Sequence, residues 1–113
     1  MAVDENLNEA FRDALGQRDG LSEKKMMGGV CFMLNGNMIG GADRTKAGEG
    51  RFMFRVGKDN DTIASALPGA QPMIQGGRRM SGLFFVTEND CSPEVMTQWI
   101  ALAIKNAQNL PKK

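Results

Sequence analysis

"GGVCFMLNGNMIGG", residues 28–41, contains five glycines that could either cradle a phosphate or shape turns. A phosphate-binding loop follows a strand and leads directly into a helix, whose N-terminal amides face the anion. Here an apolar run, residues 30–34, separates the glycine pairs and is followed by Asn35-Gly36, the dipeptide most typical of a type I′ hairpin turn. We therefore predict a β-hairpin in which residues 30–34 pair with residues 37–41, and no nucleotide site.

The composition indicates one domain without a strong net charge. At 113 residues and 42% apolar content, residues 1–113 are predicted to form a single domain. Fourteen Lys and Arg nearly balance thirteen Asp and Glu, so the net charge of +1 favours neither nucleic acid nor an anionic membrane as a partner. The chain shows no signal-peptide pattern and no apolar stretch long enough to span a bilayer. We expect a cytoplasmic protein that does not bind membranes.

The absence of histidine narrows the available chemistry. Histidine is the most frequent general base and metal ligand near neutral pH, so histidine-dependent hydrolysis and histidine-zinc sites are excluded. The two cysteines, Cys31 and Cys91, are far apart in the sequence and form no paired ligand motif. Carboxylate or lysine catalysis stays open, but no motif points to it. We predict that the protein is not an enzyme and uses no metal and no cofactor.

Apolar periodicity and turn residues outline the other elements. Ser92 as a cap and Pro93 at the first helical position predict a last helix that buries Trp99 and ends before Pro111. The pattern further predicts a first helix over residues 4–18, strands over 51–56, 71–75 and 80–86, and a short helix over 59–67 capped by Asp59. This order, α-β-β-β-α-β-β-α, predicts an α+β two-layer sandwich with an antiparallel five-stranded sheet and helices packed mainly on one face.

The predicted strands are apolar on both faces, although one layer of helices covers only one of them. In the last strand Leu83 and Phe85 oppose Phe84 and Val86, and in the strand over 30–34 Cys31 and Met33 oppose the other three residues. An uncovered apolar face is typical of binding surfaces. We therefore predict an interaction surface, with an ordinary solvated sheet face as the alternative; its candidate residues are Arg51, Met53, Arg55, Cys31 and Met33.

Basic residues in two regions are candidate phosphate contacts. Arg78 and Arg79 follow a glycine turn, and Lys24 and Lys25 precede the first glycine pair. They could contact a nucleic-acid backbone only if the fold brings them together. The alternative is that they are solubilising loop residues.

Several segments occur in the order and spacing of one known family. They are "KKMMGGVCFMLNGNMIGG" at 24–41, "MFRVG" at 53–57, "PGAQPM" at 68–73, "GGRRMSGLFFV" at 76–86, Trp99 and the terminal "LPKK". Together they resemble the N-terminal domain of the TfoX/Sxy family. Met27 stands where that family usually has phenylalanine, and Leu83 where it has a large aromatic residue.

The resemblance implies a stand-alone N-terminal domain with a secretion-chaperone-like α+β fold. It also implies a bacterial regulator of natural competence that acts on transcription with the cyclic-AMP receptor protein. We predict a non-enzymatic regulatory or protein-interaction module that binds a protein partner or a second copy of itself as a dimer. A nucleic-acid-associated regulator that binds weakly through local basic loops, and a small-ligand-binding protein, are the alternatives.

Overall fold

The computed structural model describes residues 5–26, 29–45 and 47–111, so Met27 and the last two residues of the "LPKK" segment lie outside it. Within the described residues the helices are α1 (Glu5–Leu15), α2 (Asp61–Ser65) and α3 (Pro93–Gln108), and the strands are β1 (Leu21–Met26), β2 (Gly29–Leu34), β3 (Asn37–Arg44), β4 (Gly50–Arg55), β5 (Gln71–Gln75) and β6 (Arg78–Thr87). The strands form one antiparallel sheet in the order β1-β2-β3-β4-β6-β5. The α+β two-layer architecture is confirmed.

The predicted hairpin is formed by β2 and β3. Asn35 (φ 54°) and Gly36 (φ 82°) both have positive φ, as a type I′ turn requires. The two strands pair from Leu34 opposite Asn37 to Gly29 opposite Asp43, with a bulge after Phe32. The second glycine pair therefore lies inside β3 rather than at the start of a helix. The geometry of a phosphate-binding loop is not present here.

β1 is an additional edge strand, so the prediction of five strands was wrong. Its side chains from Ser22 to Lys25 are exposed, which is why the sequence shows no apolar alternation there. The strand is held by its antiparallel pairing with β2. Arg12 of α1 also donates two hydrogen bonds to the Glu23 carboxylate, at 2.7 and 2.8 Å, which ties β1 to the helix layer. This bonding lowers the pKa of Glu23 from its ordinary value.

Two predicted helices are shorter than expected. α1 ends at Leu15, and the next residue, Gly16, has a positive φ of 67°. The segment predicted as a helix over 59–67 is a 3₁₀ turn followed by α2. Asp59 does not cap α2; Asn60 precedes the helix, and its side chain donates to the backbone oxygen of Val56 instead. None of the described helices is long and apolar enough to cross a membrane.

The hydrophobic core lies between the sheet and the two longer helices, α1 and α3. Trp99 is fully buried, and its ring centroid lies 5.4 Å from that of Phe54 and 5.3 Å from that of Phe84. Its Nε1 donates to the backbone oxygen of Pro68 at 3.3 Å. Ser92 caps α3 by accepting a hydrogen bond from the backbone of Val95. The predicted cap and the predicted burial of Trp99 are both confirmed.

Candidate functional site

The sheet face opposite α1 and α3, here called the outer face, carries an apolar row that crosses the strands. Side chains of residues directly opposite each other on neighbouring strands share a face. The strand register therefore places one row across β1, β2, β3, β4 and β6: Lys24, Cys31, Gly41, Met53 and Phe85. Apart from Lys24 at the edge, this row is apolar. It lies on the side of the sheet that α1 and α3 leave uncovered.

Gly41 lines a depression in the middle of the outer face. It lies on β3, opposite Cys31 of β2 on one side and Met53 of β4 on the other. The depression has a volume of about 270 Å³. Small-molecule sites usually enclose roughly 300–1,000 Å³, so this volume suits one or two side chains of a partner better than a cofactor. The side chains around it come from five strands and include Cys31, Met38, Asp43, Arg51, Met53, Met73 and Phe85.

Methionines supply much of the wall of this depression. Met38, Met53 and Met73 line it, each from a different strand and each only partly buried. Their unbranched, polarisable side chains can adjust to the shape of an incoming group. Such a wall is typical of surfaces that bind apolar side chains of another protein.

The two cysteines are not activated nucleophiles. Cys31 is 7% exposed at the edge of the depression, and burial raises the pKa of its thiol, although the nearby Lys24 lowers it in part. Burial raises the pKa of Cys91 to about 11. A thiolate is needed for nucleophilic attack, and both groups are thiols at neutral pH. Cys31 therefore acts as a small apolar wall residue of the outer face.

Arg51 is fixed at one end of the depression. Its Nε donates to Asp43 Oδ1 at 2.8 Å, and its Nη2 donates to Asp43 Oδ2 at 3.2 Å. Its Cζ lies 3.9 Å from the ring centroid of Phe85, so the guanidinium also covers that ring. These two contacts hold Arg51 against the sheet. Its charge is compensated by Asp43, so it shapes the rim of the depression rather than offering a free anion site.

Arg55 and Lys24 add uncompensated positive charge to the outer face. Arg55 lies opposite Leu83 and two residues beyond Met53, which places it on the same face. Neither Arg55 nor Lys24 has an ion-pair partner among the described residues. Because the charges of Arg51 and Asp43 cancel, Lys24 and Arg55 give the surface around the depression a net positive charge.

The structure brings together all five residues predicted for the interaction surface. Cys31, Arg51 and Met53 line the depression, and Met33 and Arg55 lie beside it on the same face. The sequence pattern did not identify Gly41, Met38, Met73 and Asp43 as parts of this surface. Their contribution depends on strand register, which no local pattern contains.

The four candidate phosphate contacts do not form one patch. Lys24 and Lys25 lie on edge strand β1, whereas Arg78 and Arg79 begin β6, four strand positions away. At about 4.8 Å per strand, that separation is about 19 Å. Arg79 is also bound to Asp61 at 3.0 Å. These cations cannot converge on a single phosphate.

The family model of the TfoX N-terminal domain matches residues 13–107. The chain belongs to the TfoX N-terminal domain family. The match extends from the end of α1 into the last turn of α3 and includes the whole outer face. It confirms the resemblance found in the sequence and makes the chain a TfoX-like regulatory domain. Neither the curated proteins nor the solved structures compared with the chain gave a match.

Proposed function

We propose that this TfoX-like domain is a non-enzymatic protein-interaction module that binds a protein partner through the outer face of its sheet. The observation that carries the proposal is the methionine-lined depression over Gly41, which is open on the face that the helices do not cover. Its regulatory role, in competence or in another transcriptional response, would then depend on the partner. The domain would act in the cytoplasm.

The outer face offers the two features that interface centres share. It has an apolar depression with partly exposed methionines, and it has a rigid rim in which Arg51 is held by Asp43 and Phe85. Interfaces place apolar anchors in a central pocket and surround them with polar groups. Each square ångström of apolar surface removed from water contributes roughly 25 cal/mol, so filling this depression favours association.

Nucleic-acid binding has less support than protein binding. The cations at the two sides of the sheet are about 19 Å apart by strand spacing, and Arg79 is paired with Asp61. Proteins that bind single-stranded nucleic acids stack successive bases on several aromatic rings, whereas among the described residues Phe85 is the one aromatic residue that lines the depression, and Arg51 lies over one side of its ring. A protein partner fits the apolar character of the depression better.

The test is photocrosslinking with matched positions on the two sides of the molecule. A photoreactive side chain replaces Met53 on the outer face in one variant and Ile63 on α2 in the other; Ile63 is 56% exposed. Both variants are incubated in lysate of the native host, with and without nuclease, and adducts are identified by mass spectrometry. We expect a protein adduct from position 53 that survives nuclease and is absent from position 63.

Competition makes the result specific to the outer face. Excess wild-type chain should suppress the adduct, whereas excess Met53→Asp, checked for folding by the fluorescence of Trp99, should not. Equal adducts from both positions, or none from position 53, would refute the proposal. An adduct that disappears on nuclease treatment would instead support the nucleic-acid alternative.

A further inference from the structure

We infer that the partner docks on the outer face as an acidic amphipathic helix, with one large apolar side chain seated over Gly41. This inference rests on the proposed function and adds to it the conformation and the charge of the partner. It distinguishes a separate acidic protein from a second copy of this chain.

The position of the depression within the sheet favours a helix over an added strand. Strand addition needs an edge with free backbone groups. The depression centres on β3 and β4, each of which is paired on both sides, and each lies two strands from the nearest edge. A partner at this place must therefore be recognised through its side chains. A helix presents such side chains in a stripe at intervals of three and four residues.

The spacing of the apolar row matches that stripe. Cys31, Gly41, Met53 and Phe85 lie on successive neighbours in the sheet, at about 4.8 Å per strand. Three or four residues of a helix advance by about 4.5 or 6.0 Å. A helix that crosses the strands can therefore place one apolar side chain at each strand. The three strand intervals from β2 to β6, about 14 Å in total, correspond to about ten helical residues.

The charge around the depression selects an acidic partner. Lys24 and Arg55 carry uncompensated positive charge, because among the described residues neither forms an ion pair. Two copies of this chain packed through a two-fold axis would bring the same surface, with the same positive charges, face to face. Like charges across an interface oppose association, whereas acidic side chains beside the apolar stripe would pair with both residues. A second copy is therefore disfavoured.

The experiment uses two synthetic peptides of about 18 residues, long enough to form a helix. Both have leucines at helical spacing on one side, and they carry either glutamates or lysines on the other. Binding is measured by titration calorimetry at low salt. We expect the glutamate peptide to bind at least about tenfold more tightly than the lysine peptide.

Methyl NMR of the methionines locates the binding. The glutamate peptide should shift the methyl signals of Met38, Met53 and Met73, which line the depression, and leave that of Met96, buried in the core, unchanged. Binding that leaves the three outer-face signals unchanged would overturn the inference.

Charge reversal supplies the matched controls. The double variant Lys24→Glu, Arg55→Glu should reverse the preference in favour of the lysine peptide. The control double variant Lys58→Glu, Lys105→Glu changes the net charge equally, at exposed positions in the 3₁₀ turn and on α3, and should keep the original preference. Reversal in both variants would show a general charge effect and would overturn the inference.

The outcomes separate this inference from the proposed function. Equal binding of both peptides at the outer face would refute the acidic character of the partner and leave the proposed protein-interaction surface intact. Binding of neither peptide, or a stable dimer of the chain in sedimentation equilibrium, would refute the docked acidic helix. The proposed function fails only if position 53 gives no specific protein adduct.

Discussion

Replacing Gly41 with alanine tests whether the close pairing of β2 and β3 requires glycine at this position. A Cβ atom at residue 41 would lie 2.3 Å from the backbone oxygen of Val30 and 3.3 Å from its carbonyl carbon. The first distance is too short, because Cβ atoms in proteins essentially never lie closer than 3.0 Å to another heavy atom. Because the obstacle is the backbone of β2, β2 and β3 must move apart. Overpacking of this kind costs about 1–3 kcal/mol, out of a total stability of about 5–15 kcal/mol. The melting temperature should fall by roughly 4–12 °C.

Gly50→Ala is the matched control for this prediction. Neither glycine has a positive φ, so the backbone dihedral angles of both positions are compatible with alanine. A Cβ on Gly50 meets Glu88 Oε1 at 2.7 Å and Leu7 Cδ1 at 3.0 Å, which are the ends of side chains that can move. We expect Gly50→Ala to change stability by less than about 1 kcal/mol. Urea unfolding followed by the fluorescence of Trp99 measures both variants, and equal effects would refute the argument.

Three further predictions concern stability and reactivity. Trp99→Ala should lower the free energy of unfolding by about 3–5 kcal/mol in urea unfolding followed by circular dichroism, and a loss below about 1 kcal/mol would contradict its central place in the core. Desolvation acts to raise the pKa of Asp61, but hydrogen bonds from Gly82 and Arg79 outweigh it, so the pKa is lowered. Asp61→Asn should therefore lower the free energy of unfolding by about 1 kcal/mol at neutral pH and leave it unchanged once the pH falls below the lowered pKa. Urea unfolding at both pH values measures this, and the same difference at both would refute it. Burial raises the pKa of both Cys31 and Cys91, so the native protein should react with iodoacetamide more slowly near neutral pH than the unfolded protein does. Mass spectrometry follows the labelling, and rapid labelling of Cys31 in the native protein would contradict this prediction by showing an activated thiol.

Local chemistry explains why some elements were predictable from the sequence. Asn35-Gly36 adopts positive φ at both positions, and few other dipeptides do so without strain, so the hairpin turn is specified by two residues. Ser92 and Pro93 define the start of α3 in the same local way. The segment around Asp59 was predicted less well because the side chain of Asn60 bonds to Val56 rather than capping a helix.

The amino-acid sequence by itself determined the hairpin, the start of α3, the burial of Trp99 and the family, because each depends on residue types at short or regular spacing. Only the tertiary structure decided β1, whose polar sequence becomes a strand through its hydrogen bonds to β2. The depression over Gly41 likewise depends on register, since Cys31, Met53 and Phe85 come from three strands and meet only when those strands pair. A local pattern shows which residues of one strand share a face of the sheet. Long-range pairing decides which residues of other strands lie beside them.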